Sequence, residues 1–407
     1  MTTIPLDIVE TIVDILCTDP SNIPTIRACS LVCPAFIPIC RKHIFASVII
    51  EDRFKAPSSK PQTSPIQRLN CVLSTSPEIA DYIRHLDLNY HVRYNGFEDE
   101  SAVFTKIKSL RSLAIRYSFG NSIHAWNDSP MRTVLLHLFR LPSLTKLILR
   151  GLNLFVLTDL AACVNLEDLE IRNVTTTSPS HYDFQYPPVR LRKLLCMYNG
   201  SVRRNMNVAR RADGSPFIDV KGVTDLTLDI TYDDAVKASP DLASRCRQLV
   251  NVKLYVSSAS LEGVNLSQLL GASMKTLKNI SICADYIDGD GEDPLCGITN
   301  ALGQLNKENI IEDLTITIII LAGLFEMQEN AWSHLDRMLA ESAWPKLRRV
   351  SLTVLVDPDA RLDAVRALDD YFPKLPETQF HWLLANKSLT FEFEARLEEA
   401  SDIYPYV

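Results

Sequence analysis

A six-residue apolar pattern recurs along most of the chain and limits the folds that the chain can adopt. Apolar side chains occupy its first, fourth and sixth positions, as in Leu144-x-x-Leu147-x-Leu149. The pattern occurs ten times, with its fourth position at residues 86, 113, 147, 169, 194, 226, 252, 280, 314 and 350. Neighbouring copies are separated by 22 residues (147 to 169) at the least and 36 residues (314 to 350) at the most. This regularity predicts a repetitive architecture.

Each copy is predicted to be a short strand, followed by a connection to the next copy. Alternate residues such as Leu147 and Leu149 point to one side of a strand, where only neighbouring copies can bury them. Several connections are amphipathic, which favours helices. We therefore expect an α/β fold with parallel strands on a concave face and helices on a convex face. A last, degraded strand is expected at residues 388–393.

The pattern resembles the leucine-rich repeat, whose copies run at roughly 20–29 residues with insertions in the connections. Several spacings here are longer, so the resemblance implies an irregular solenoid over residues 66–395. Residues 52–65 are rich in proline, serine and lysine and are predicted to be a linker. Residues 396–407 are assigned to a C-terminal tail.

Residues 1–51 are predicted to form three short helices. Pro5 suits a first helical turn, and Ile8 and Ile12 continue an apolar stripe at helical spacing. Pro34 limits the second helix. So small a segment has a small core, and its apolar residues occupy more than one helical face. Two interpretations remain open: a cap that packs onto the repeats, or a surface that binds a partner.

This segment also resembles an F-box, especially in its fungal form. Ile4-Pro5-Leu6-Asp7-Ile8 resembles the Leu-Pro-x-Glu-Ile/Leu opening of that family. Leu31-Val32-Cys33-Pro34-Ala35-Phe36 resembles its Leu-Val-Ser/Cys-Arg-x-Trp segment, and Arg41-Lys42-His43-Ile44-Phe45 its closing Arg-x-x-Leu-Phe. Asp7, Pro34 and Phe36 depart from the usual Glu, Arg and Trp. The resemblance covers about 50 of the 407 residues.

The resemblance implies a substrate-recognition subunit of an SCF-type ubiquitin ligase, which is not itself an enzyme. The helices would bind a Skp-family adaptor, and through it a cullin, while the repeats would bind a target protein. The adaptor contacts implied by the motif are Ile4, Pro5, Ile8, Val9, Ile12, Leu31, Val32 and Phe36. One alternative is a non-ligase scaffold whose degenerate F-box caps the solenoid. Another is a hydrolase that uses a pair such as His85 and Asp87.

Residues that alternate with the buried strand positions are predicted to face the concave side. Their charges are mixed, which suits protein recognition better than tracking of a phosphate backbone. For each residue the alternative is an ordinary solvated position. The candidates for target contact are Arg116, Lys146, Arg150, Arg172, Lys193, Lys253, Tyr255 and Arg349.

Composition narrows the possible classes of protein. The net charge of −7 gives no support for binding to nucleic acid or an acidic membrane. The ten cysteines lie mostly in apolar runs, as reduced thiols do, so we expect a cytoplasmic or nuclear protein. The longest apolar stretch, near residues 314–325, is too short to span a membrane.

No motif predicts a catalytic, metal or cofactor site. The acidic run 288–293 lacks the spacing of a calcium loop. The most basic stretch, 190–216, is predicted to be a long loop, either an ordinary insertion or a grip for an acidic or phosphorylated ligand.

Overall fold

The computed structural model describes most of the chain. The described residues are 5–51, 63–90, 101–117, 126–129, 131–177, 187–198, 200–211, 213–230, 242–257, 265–286, 294–305, 308–321, 329–340, 344–358, 367–368 and 370–398. The chain divides into two units. Unit 1 comprises Met1–Val189 and Arg210–Phe217, and unit 2 comprises Arg190–Ala209 and Ile218–Val407.

The described residues of unit 1 begin with three helices around a small apolar core. They are α1 (Leu6–Leu16), α2 (Ile23–Ser30) and α3 (Phe36–Ile44). A short 3₁₀ helix, Pro20–Asn22, joins the first two. All three helices contribute to the core, whose buried residues are Val9, Val13, Ile26, Ile39 and Cys40. Helices are therefore present where the apolar periodicity predicts them.

The described strands of unit 1 pair in sequence order, and every pair is parallel. They are β1 (Ser47–Glu51), β2 (His85–Tyr90), β3 (Ser112–Tyr117), β4 (Lys146–Arg150) and β5 (Asp168–Arg172). Between them lie α4 (Pro65–Thr75), α5 (Arg132–Phe139) and the 3₁₀ helices Pro77–Asp81, Ser101–Lys106, Trp126–Asp128 and Leu157–Ala162. Strand β1 belongs to this ladder although it lies within the segment predicted to be helical.

The described strands of unit 2 form a second parallel ladder. They are β6 (Lys193–Met197), β7 (Asp225–Asp229), β8 (Asn251–Ser257), β9 (Asn279–Tyr286), β10 (Asp313–Ile320), β11 (Arg349–Val356) and β12 (Thr390–Leu397). The helices are α6 (Gly200–Val208), α7 (Leu266–Leu270), α8 (Pro294–Gly303), α9 (Glu329–Ala340), α10 (Leu375–Gln379) and α11 (His381–Ala385). The 3₁₀ helices of this unit are Gly271–Ser273 and Phe372–Lys374. There are also two strands of two residues each, Ile218–Asp219 and Val189–Arg190, and the second of these begins at the last residue of the first segment of unit 1.

The register of both ladders follows the apolar pattern of the sequence. The fourth positions Leu86, Leu113, Leu147 and Leu169 are level in unit 1, and the corresponding residues from Leu194 to Val350 are level in unit 2. The fourth and sixth positions of all ten copies are buried. The predicted α/β class and parallel strands are thus confirmed. The opposite side of each ladder carries the alternate, mostly polar residues, and we call it the polar face.

Several predicted boundaries differ from the observed ones. Helix α4 begins at Pro65, within the predicted linker, because Ser64 and Gln67 form a reciprocal capping box at its start. The last strand was expected at 388–393 but extends to Leu397, into the predicted tail. The basic stretch predicted as a loop contains α6, whose Arg203 is buried. The acidic run 288–293 lies outside the described residues.

Candidate interaction surfaces

Helix α1 has apolar side chains on two sides, and only one side is used by the core. Val9 and Val13 point into the three-helix core. Ile8, Ile12 and Ile15 recur at helical spacing on another side and are exposed. Exposed apolar residues also stand at the start of α1 and in the turn after α2. We call this set the apolar helical surface: Leu6, Ile8, Ile12, Ile15, Leu31 and Val32.

Polar contacts hold α1 against α3 beside this surface. Lys42 Nζ lies 3.3 Å from Glu10 Oε1 and 3.7 Å from Asp14 Oδ1. His43 Nε2 lies 2.7 Å from the same Asp14 oxygen. These contacts join Glu10 and Asp14 of α1 to α3, so they help to set which side of α1 faces solvent.

The predicted adaptor contacts occupy different environments. Ile8, Ile12, Leu31 and Val32 are exposed, as is Pro5, and Leu31 reaches 86% exposure. Phe36 is half-buried and packs against the three-helix core. Val9 is only 7% exposed and lies in that core, so we exclude it from the apolar helical surface. Ile4 lies outside the described residues.

Four basic residues predicted to contact a target form ion pairs on the polar face of unit 1. Arg116 Nη1 lies 2.6 Å from Asp87 Oδ2, and Lys146 Nζ lies 3.1 Å from Asp168 Oδ2. Glu170 Oε1 lies 2.5 Å from Arg150 Nη2 and 2.8 Å from Arg172 Nε. Each of these cations would have to leave an existing carboxylate, or share it, before it could bind a target.

The remaining predicted target contacts lie on the polar face of unit 2. Lys193 is exposed at the start of β6. Lys253 holds its ammonium 4.7 Å from the centre of the Tyr255 ring, within the range of a cation–π contact. Arg349 Nε lies 3.9 Å from Glu392 Oε1 on the next strand. These residues are therefore spread over several strands.

An open cavity of about 210 Å³ crosses β7 to β10 on this face. Its first row is formed by the first residue of each strand, and the second row lies two residues further along. The first row is Asp225, Asn251, Asn279 and Asp313, and the second is Thr227, Lys253, Ser281 and Thr315. Of these eight residues, only Lys253 is a predicted target contact, although Asp225 and Asp313 are also at positions predicted to face the concave side. The sequence does contain a signal for the first row. Each of its residues immediately precedes the fourth, buried position of a copy of the apolar pattern, so its side chain points to the opposite side of the strand.

Unit 2 also contains carboxyl groups that are withdrawn from solvent. The buried carboxylate of Asp229 accepts a hydrogen bond from Tyr198 N–H at 2.9 Å, and Arg203 donates to the Asp229 carbonyl oxygen. Burial, together with the negative charge of Asp229, raises the pKa of Asp285 to about 7. Asp285 shares its strand β9 with Cys283, which packs with Ile319 and Leu355 in a buried apolar cluster.

The described cysteines are free thiols, and most are at least partly buried. Burial raises the pKa of Cys196 and of Cys246 to about 12. Cys71 on α4 is exposed. The prediction of reduced thiols agrees with this description, although Cys71 shows that not every thiol is withdrawn from solvent.

The described residues contain no group of three or more His, Cys, Asp or Glu side chains that could hold a metal ion. No described helix has the length and apolar character needed to cross a membrane. No protein-family model matches the chain, and no curated protein matches it either.

Proposed function

We propose that the chain is the substrate-recognition subunit of an SCF-type ubiquitin ligase. In this role the apolar helical surface binds a Skp-family adaptor, and through it a cullin, while the repeats bind a target protein. The chain performs no chemistry, because its effect is to raise the concentration of the target near the ligase. The observation that carries the proposal is the apolar helical surface, which remains exposed after the helices have formed their own core.

The size of this surface supports binding to a partner protein. Single exposed apolar residues are common on soluble proteins, but here six occur within residues 6–32. Completing the burial of a half-exposed Leu or Ile side chain yields about 1 kcal/mol. Several such side chains together supply a useful part of a binding free energy, since a micromolar complex needs about 8 kcal/mol.

The strand ladders support the second half of the proposal. Within each unit, consecutive copies of the pattern are adjacent parallel strands in matched register. We infer that they form an irregular leucine-rich-repeat solenoid. A succession of strands presents a broad array of polar side chains on one face, as the recognition of a protein surface requires.

A second candidate is a scaffold in which the helical segment only caps the repeats. One observation favours it: the carbonyl of Ala46, just after α3, accepts hydrogen bonds at 2.9 Å from the N–H groups of Arg84 and His85. The helical segment is therefore tied to β2 through the chain that leads into β1. A cap, however, gives no reason for six exposed apolar side chains.

The test is a binding assay between the purified chain and a recombinant fungal Skp-family adaptor. The variant Ile8→Asp/Ile12→Asp places two charges on the apolar helical surface without touching the three-helix core. We expect binding to weaken by at least 100-fold. The matched control is Leu384→Asp, which places a charge on an exposed leucine of α11. It should bind the adaptor like the wild-type chain.

All three proteins should keep a cooperative thermal unfolding transition, because no substituted side chain belongs to a buried core. Full adaptor binding by the double variant would overturn the docking assignment. Absence of adaptor binding by the wild-type chain would favour the scaffold.

A further inference from the structure

The first row of the cavity in unit 2 holds fewer hydrogen-bond donors than it needs. Asn251 Nδ2 donates to Asp225 Oδ1 at 2.8 Å, and Asn279 Nδ2 donates to Asn251 Oδ1 at 2.5 Å. The oxygen of the Asn279 amide is then directed toward the Asp313 carboxylate. Both groups are acceptors, so nothing within the row joins these two strands.

Turning the Asn279 amide over, so that its oxygen and nitrogen exchange places, moves the missing hydrogen-bond donor to another pair of neighbours in the row but does not supply it. In the turned orientation its nitrogen lies 3.0 Å from Asp313 Oδ2 and 3.2 Å from the Lys278 carbonyl oxygen. Its oxygen then faces Asn251 Oδ1 at 2.5 Å, again one acceptor against another. The row has three gaps between neighbouring strands, but each amide can place its NH₂ group in only one gap. The carboxylates at both ends supply no donor, so one gap always lacks a donor.

The charges around the row favour a cationic donor. Asp225 and Asp313 close its two ends, with Lys193 next to Asp225 on β6. Arg349 of β11 is the register partner of Asp313, and its Nε lies 3.9 Å from Glu392 Oε1. Lys253, in the second row, holds its ammonium over Tyr255. The two carboxylates differ in their hydrogen bonds: Asp225 accepts from Asn251 and, at 2.7 Å, from the Thr224 hydroxyl. With Asn279 in the first orientation, Asp313 accepts no hydrogen bond from a described side chain, so its end of the row lacks the donor.

We propose that this cavity binds an arginine side chain of the target protein at the Asn279–Asp313 end of the row. A guanidinium group carries several N–H donors in one plane, so it can bond to the Asn279 amide oxygen and the Asp313 carboxylate together. An ammonium group would satisfy the charge but not this planar geometry. The assignment rests on the proposed function in one respect, namely that the ligand belongs to a target protein.

The test uses the purified full chain without adaptor, and the probe is the peptide acetyl-Gly-Arg-Gly-amide. Binding is followed by ligand-observed NMR at millimolar peptide concentration. The neutral comparison is the same peptide with citrulline in place of arginine, which keeps the shape and removes the charge. We expect the arginine peptide to bind at least 10-fold more tightly than the citrulline peptide.

Two variants test the shortage of hydrogen-bond donors through a second measurement, the Tm of the free protein. Asp313→Asn and Asp225→Asn each add an amide to one end of the row, so that three NH₂ groups can fill three gaps. Either change should raise the Tm of the free protein by about 2 °C. Asp313→Asn should weaken binding of the arginine peptide at least 10-fold. The control Glu377→Gln, an exposed acid of α10, should change neither quantity.

Equal binding of the arginine and citrulline peptides would overturn the proposal, as would unchanged binding by Asp313→Asn. This outcome is distinguishable from failure of the proposed function, because the titration contains no adaptor. If adaptor binding is retained and the peptide titration fails, the arginine site is wrong and the ligase proposal stands.

Discussion

Ile12 and Val13 are consecutive residues of α1 with opposite environments, since Ile12 is 51% exposed and Val13 only 1%. Val13→Ala removes two methyl groups from the three-helix core and should destabilise α1 to α3 by about 2 kcal/mol. Ile12→Ala should change their stability by less than about 0.5 kcal/mol. Hydrogen exchange of the amides in these helices measures both effects. Equal losses from the two substitutions would show that α1 faces its core through another side.

Asp159 joins two elements of unit 1 through a partly buried network. Its carboxylate accepts hydrogen bonds from Trp126 Nε1 at 2.6 Å and from Arg132 Nε and Nη2 at 2.9 Å each. Asp159→Ala leaves both partners without this acceptor and should lower the free energy of unfolding by about 3 kcal/mol. The comparison is Glu78→Ala, which breaks the exposed 3.4 Å pair with Arg41. Chemical denaturation should show a loss of less than about 0.5 kcal/mol for that variant.

Asp285 is expected to make the free energy of unfolding of unit 2 depend on pH. Burial and the charge of Asp229 raise its pKa from 3.8 to about 7, so the folded state holds this proton more tightly than the unfolded state does. The resulting stabilisation is complete below about pH 4 and is lost as the pH rises through 7. Asp285→Asn should therefore match the wild-type chain near pH 4 and exceed its stability at pH 8 by roughly 4 kcal/mol at most.

Urea denaturation of the two proteins between pH 4 and 8 measures this difference, and other titrating groups cancel in the comparison. The exposed acid Asp370, changed to Asn, provides the control and should show no such trend. If the difference in the free energy of unfolding between wild type and Asp285→Asn stayed constant across the pH range, the raised pKa of Asp285 would not be its cause.

Gly151 follows β4 at a position that no other residue type fits well. Its φ is +67°, and a Cβ atom there would lie 2.4 Å from the carbonyl oxygen of Tyr117. Gly151→Ala should destabilise unit 1 by about 2 kcal/mol or more, through both strain and the clash with backbone. Gly271→Ala is the matched control, because its Cβ would meet no atom within 4 Å and its φ of −52° suits any residue. Thermal unfolding should show no loss for that control.

The strands themselves were predictable from the sequence because their cause is local. Alternation of apolar and polar residues places Leu147 and Leu149 on one side of a strand wherever the chain is extended. The same positions were then found level with Leu113 and Leu169 of the neighbouring strands. Strand β1 was missed because its short run, Ser47–Glu51, directly follows a helix and pairs with residues far along the chain.

Local composition predicts a loop for the basic stretch, but a helix forms there, and one of its arginines contacts a residue that is distant in the sequence. Arg203 looks like a solvated charge in sequence, yet it is buried and donates to the carbonyl of Asp229. The sequence also does not show which side of α1 is exposed, since Ile8 and Val9 are similar in character and only packing distinguishes them.

The spacing of apolar residues predicts short helices followed by repeated parallel strands, because that spacing is a property of each segment alone. Which apolar residues stay uncovered, and which polar residues become neighbours, depends on how the segments pack together. Asp225, Asn251, Asn279 and Asp313 are far apart in the chain and come together only through strand register. Register depends on the packing of the whole ladder, and no single segment contains that information.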